Sequence, residues 1–274
     1  DYSIFSNINE IIDNDPSDED TLTVITNEDI IDTPTVEGIE TLVFKTSNNY
    51  TDLDNSFSID LEKFSSFKEI ILSKNDESLS IQNLELNSAT GNIIADHGFL
   101  NIAITGISGE DVELQVKEDA SVQVDTDVQN LVVNGTGKSI NLDTSNQGNI
   151  EILDNSSVVL NAPNSIGDLK LTSNGNVEIT DASSLLGNAI ISAIGTVDIN
   201  NISALEGKLT VENIRGPTGA DVNIANANSA KSVEVKTVGA VIIDSTNGGL
   251  NEAESISITS SEDSTIIASK DIPR

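Results

Sequence analysis

From Ser121 to Thr196 the chain repeats itself about every 19 residues, and each repeat carries two short apolar–polar alternations. The repeats read SVQVDTDVQNLVVNGTGK, SINLDTSNQGNIEILDNSS, VVLNAPNSIGDLKLTSNGN and VEITDASSLLGNAIISAIGT. Alternation at period 2 places every second side chain on one face of an extended strand. A strand this short cannot bury its apolar face alone, so each repeat must stack on the next. The expected fold is all-β, a parallel β-solenoid with rungs of about 19–24 residues.

The apolar columns follow from the alignment. Val122/Val124, Ile140/Leu142, Val158/Leu160 and Val177/Ile179 occupy the first strand of successive rungs. Leu131/Val133, Ile150/Ile152, Leu169/Leu171 and Ala189/Ile191 occupy the second. The columns continue through Val197/Ile199, Leu209/Val211, Val222/Ile224, Val233/Val235, Ile242 or Ile243, and Ile256/Ile258. Gly148, Gly167, Gly187 and Gly207 precede the second strand, where a repeated corner with positive φ would call for glycine. A polar column after the first strand runs Asp125, Asp143, Asn161, Thr180, Asn200, Ala225 and Asp244. Short polar side chains there can bond to turn backbone.

Three regions are expected. Residues 1–20 form an acidic, non-repeating cap or linker, opening with a short helix or strand. Residues 21–120 form irregular rungs, and residues 121–274 the regular ones. The rungs 197–220 and 241–264 are long, and their surplus is expected to leave the stack as loops near 214–219 and 247–253. With no Met in 274 residues, the chain reads as part of a longer or processed protein.

Charge narrows the partners. There are 45 acidic and 13 basic residues, a formal net charge of −32. Nucleic acid and anionic membrane surfaces both demand clustered Lys/Arg, so neither fits. No run of about 18 apolar residues exists to insert into a bilayer. The natural counter-ion for many carboxylates is a hard divalent cation, calcium first. The strongest metal candidate is Asp13, Asp15, Asp18, Glu19 and Asp20, alternating acids turned by Pro16. Corner acids Asp125, Asp143 and Asp244 are further candidates. None matches an EF-hand loop, and the glycine-rich calcium nonapeptide is missing.

Catalytic patterns are sparse. His97 is the one histidine and sits beside Asp96 as a turn residue. Asn49, Asn134, Asn155 and Asn201 match N-x-Ser/Thr as chance would allow in so Asn-rich a chain. A β-helix enzyme acting on polysaccharide would use aromatic platforms, and the chain has two Tyr and six Phe, the last at Phe67 and Phe99. The chain is therefore expected to be non-enzymatic.

The stretch DEDTLTVITNEDIIDTPTVEGIETLVFKT resembles a motif of large secreted bacterial surface-layer proteins. It is carried here by Asp20-Thr21-Leu22, Thr33-Pro34-Thr35-Val36 and Gly38-Ile39-Glu40. The run LVVNGTGKSINLDTSNQGNIEILDNSS is similar to the β-solenoid portions of the same proteins. The family is the RTX-related S-layer group of the Campylobacter and Caulobacter type, exported by type I secretion. The resemblance implies an extracellular location on the bacterial cell surface and self-association into a calcium-dependent lattice. It also implies attachment to lipopolysaccharide through a separate, largely helical domain that nothing in this sequence resembles. The alternative is a secreted adhesin or passenger-type binding module whose 197–264 insertions recognise a ligand.

Overall fold

The computed structural model describes residues 10–12, 19–26, 35–46, 56–60, 69–73, 78–82, 90–96, 101–107, 111–117, 119–126, 128–146, 148–202, 205–213, 220–227, 230–245, 253–262 and 264–268. The described residues form strands, turns and bends with no helix. Parallel strands pair coil upon coil, so the chain is an all-β, parallel β-solenoid. Packing divides it into two units, Asp1–Asn134 and Gly135–Arg274.

In the first unit, one sheet stacks Thr21–Thr26, Thr41–Thr46, Glu69–Ser73, Thr90–Asp96 and Asp111–Val116, all parallel. A second stacks Ser56–Asp60, Ser78–Gln82, Asn101–Ile107 and Ala120–Thr126. The register sets Leu42 on Ile70, Ile70 on Ile93 and Leu114 on Ile93, each buried. The acidic segment contributes a strand, Glu10–Ile12, paired in parallel with Thr35–Glu37. The strands Thr21–Thr26 and Thr41–Thr46 lie one coil apart, with Thr21-Leu22 facing Thr41-Leu42. The coil closes through Thr41 N–H to Asp20 O at 3.0 Å and Asp20 N–H to the Glu40 carboxylate at 3.0 Å.

In the second unit each coil has two main sides. The first stacks Val158, Val177, Val197, Val222 and Val241 in register. The second stacks Leu169, Ala189, Leu209, Val233 and Ile256. Through Val233 these inward residues are 0–1% exposed. At about 1.5–3 kcal/mol for each fully buried large aliphatic side chain, these columns are the main force holding coil to coil. Ile243 is the inward residue of its pair and Ile242 is 42% exposed.

A third, shorter side is absent from the two-beat reading. Ser165–Ile166 pairs with Ser184–Leu185, and Leu205, Ala230 and Ala253 extend the buried column. Its strands are two residues long, too short to show period 2. Ala253, which the sequence places in a loop, is 2% exposed and belongs to this column.

Coil length varies while register holds. Bonded neighbours are 19 or 20 residues apart over much of this unit. The long coils are where they were expected: Asn223 bonds to Asp198 across 25 residues, and Ser232 to Ser255 across 23. The predicted loop residues 214–219 and 247–252 lie outside the described residues. Their flanks do not: Asn213 ends the strand Lys208–Asn213, and Ala220 is again buried, ahead of the strand Val222–Ile224.

Candidate functional site

The corners are built from one device used at two places in the coil. Asn149 Oδ1 accepts the N–H of Asp168 at 2.8 Å, Asp168 Oδ1 that of Asn188 at 2.6 Å, and Asn188 Oδ1 that of Lys208 at 3.1 Å. At the other corner Asn176 Oδ1 accepts from Thr196 N–H at 2.9 Å, and Asp221 Oδ1 from Ala240 N–H at 2.8 Å. Each oxygen occupies space left by a glycine on the next coil. A Cβ on Gly187 would collide with Asp168 Oδ1, and one on Gly195 with Asn176 Oδ1. The glycine column is thus real, but its predicted cause is not. Gly167, Gly187 and Gly207 have no positive φ; among the described residues only Gly38, Thr136 and Gly137 do. Closeness of the coils, and not a left-handed turn, requires the glycine. A second column, Gly175, Gly195 and Gly239, stands at the other corner, and its sequence signal is a repeated Gly-X-Val.

The polar column after the first strand is also shifted. A bulge pairs Asn161 with Asp181, not Thr180. The ladder runs Asp143, Asn161, Asp181, Asn201 and Asn226. Its carboxamides donate to the preceding member: Asn161 to Asp143 at 3.2 Å, Asn201 to Asp181 at 2.9 Å, Asn226 to Asn201 at 3.0 Å. Thr180 instead donates its hydroxyl to Leu160 O at 3.0 Å.

A buried polar column was missed altogether. Asn155, Ser173, Asn213 and Thr237 take the last inward position of the second side, a row in which Ala193 alone is apolar between Ser173 and Asn213. Ser173 Oγ and Thr237 Oγ1 accept the N–H of Gly175 and Gly239 at 3.2 and 3.0 Å. Asn213 Nδ2 donates to Gly195 O at 2.7 Å and Ala220 O at 3.0 Å, tying together the residues that flank segment 214–219. Buried carbonyls at a corner need such donors, or each costs about 1–3 kcal/mol. Asn155 is fully buried and Asn201 is bonded to Asp181, so both serve the stack rather than offering a free acceptor amide.

The proposed metal set is only partly within the described residues. Asp13, Asp15, Asp18 and His97 lie outside them. Glu19 is exposed and Asp20 half-buried, with the Glu40 carboxylate beside the Asp20 amide. Asp125 is within strand Ala120–Thr126. Asp143 is exposed and bonded to Asn161, and Asp244 is half-buried several coils away. Among the described residues no three of His, Cys, Asp and Glu stand close enough to hold a metal ion. Calcium takes six to eight oxygens, so the described members do not form its cage alone. An ion held by Glu19 and Asp20 would draw its other ligands from outside them, the segment 13–18 first.

The outward face of the second side carries paired charge. In register its central row runs Glu151, Lys170, Ile190, Thr210, Glu234 and Ser257. Lys170 pairs with Glu151, and Lys208 with Glu234. Lys236 lies 2.8 Å from Glu234 and 3.3 Å from Glu212. Hydrogen bonds from Lys208 and then Lys236, reinforced by their charges, lower the Glu234 pKa from 4.5 to about 2. The same bonding, first from Glu234, raises that of Lys236. Beside this face a shallow pocket is lined by Thr172, Ser173, Asn174, Ser192, Ala193, Ile194 and Glu212. The first side differs: its outward residues Glu178, Asp198, Asn223 and Ile242 include no lysine.

No family model matches this chain, no curated protein matches it, and no solved structure matches it.

Proposed function

We propose that the chain is a structural, non-catalytic protein of the bacterial cell exterior, a segment whose copies associate into a surface lattice. The observation that carries this reading is the use to which the corner residues are put. Asn149, Asp168, Asn176, Asn188 and Asp221 have the chemistry of binding groups, yet each gives a side-chain oxygen to the backbone of the next coil. Polar side chains bonded in this way hold register and form a rigid tile.

The charge of −32 supports a calcium requirement, because like-charged tiles repel until cations intervene. The RTX-type relationship, type I export and attachment to lipopolysaccharide through another domain complete the reading and rest on the surface-layer resemblance. Electron microscopy of the purified chain with millimolar calcium tests it: ordered sheets or arrays are expected, and dispersed particles at every concentration would refute it.

A second reading, a secreted adhesin, draws on the two long coils and the hydrogen bond from Asn213 to Ala220 O. An adhesin stays monomeric with calcium and binds a host or glycan ligand through the inserted segments.

A further inference from the structure

We propose that the outward face of the second side, in the unit Gly135–Arg274, is the surface on which a second copy of this chain docks. The inference rests on the self-association reading and assigns it a place. Two copies at −32 each repel strongly, so the least opposed contact is one where charge is locally balanced or of opposite sign. Lys170, Lys208 and Lys236 are all drawn to this one face and each is paired with a glutamate. At its centre stands Ile190, a large apolar side chain 49% exposed between Lys170 and Thr210.

The order of the row determines how the copies fit. Coils are spaced at about 4.8 Å, and stacked sheets pack about 10 Å apart. A two-fold axis lying in the interface along the strands, between the coils of Ile190 and Thr210, reverses the row of the second copy. Isologous contacts of this kind repeat the same pairs twice. Ile190 then faces the partner copy's threonine at 210, and Lys170 faces its glutamate at 234. Within one chain Lys170 and Glu234 are three coils apart and are not partners. Opposite charge at these two coils is what the reversed row needs.

Sedimentation velocity on the 274-residue chain, with and without calcium, tests this. The variants are Lys170→Glu, Glu234→Lys, the double charge swap, and Ile190→Lys, each checked by circular dichroism for an unchanged fold. Each single reversal and Ile190→Lys should weaken association at least tenfold, and the double swap should recover most of it. Recovery cannot arise inside one chain, because the two positions do not touch there. If the wild type associates but the single variants associate equally well, or the swap fails to recover, this face is wrong while the lattice reading stands. A wild type that remains monomeric at every concentration with calcium overturns both. Should Glu234→Lys perturb the coil through its lost pairs to Lys208 and Lys236, Lys170→Glu and Ile190→Lys decide the matter, since both positions are exposed.

Discussion

Asp168 Oδ1 accepts the backbone N–H of Asn188 at 2.6 Å, reaching across the space where Gly187 has no side chain. The cap and the glycine are one feature. An alanine at 187 displaces the Asp168 carboxylate and presses on Gly167 O as well. Overpacking of this kind costs about 1–3 kcal/mol. Gly187→Ala is expected to lower stability by that amount in urea unfolding. Alanine at exposed Glu206, outside the column, should change it by less than about 0.5 kcal/mol. Equal effects at both positions would refute the steric account.

Asn213 joins two backbone carbonyls of one corner. Removing its carboxamide takes this donor from Gly195 O, while Ala220 O keeps the Thr237 hydroxyl at 3.2 Å. Asn213→Ala is expected to cost about 1–3 kcal/mol. Limited trypsin digestion gives a local readout, since Arg215 follows Asn213 closely in the chain. Cleavage there should accelerate relative to other sites; a uniform change would mean that Asn213 does not hold this corner locally.

Glu234 links acid stability to the lysines of the outer face. Its pKa is lowered on folding, so its contribution is present above about 4.5 and is lost as pH falls through about 2. Carboxyl titration by NMR should place its midpoint near 2. Lys208→Met should move that midpoint up toward 4.5, because Lys208 is the largest contributor. A wild-type midpoint near 4.5 would show the pairs to be ineffective in solution. Lys236 has the opposite sign: its pKa is raised, so its contribution holds below the ordinary lysine value and is lost as pH rises through the raised one.

If calcium binds only the folded chain, one site saturated at 100 times its Kd adds about 2.7 kcal/mol. The melting temperature should fall markedly with EGTA and return with excess calcium. Unchanged melting curves would remove calcium from the proposal. Asp15→Asn and Asp18→Asn should blunt the response if the segment 13–20 holds the ion.

The sequence made the interior legible because the interior obeys a period. Val177, Ile179, Leu169 and Leu171 alternate on strands long enough to show period 2, and all are buried. The long coils were legible for the same reason, since the columns had to realign at Val222 and Val233. What escaped has no period-2 signature. The third side is two residues long, and the buried polar column takes one position per coil. The step from Asn161 to Asp181 depends on a bulge that only the paired backbone reveals. The glycines were visible, but their cause was not: residue identity signals a missing Cβ without saying whether a dihedral angle or a neighbouring oxygen demands it. The outer face was hidden because Lys170 and Glu151 are 19 residues apart and meet only once the coils are stacked.

The Asx caps all point one way. Every oxygen comes from the earlier coil and every N–H from the later one. A stack made by this rule is a vector: reversing it would exchange side-chain acceptor and backbone donor at each of these corners. Copies joined end to end would have to run in the same sense, whereas copies joined through their flanks are free to run in opposite senses.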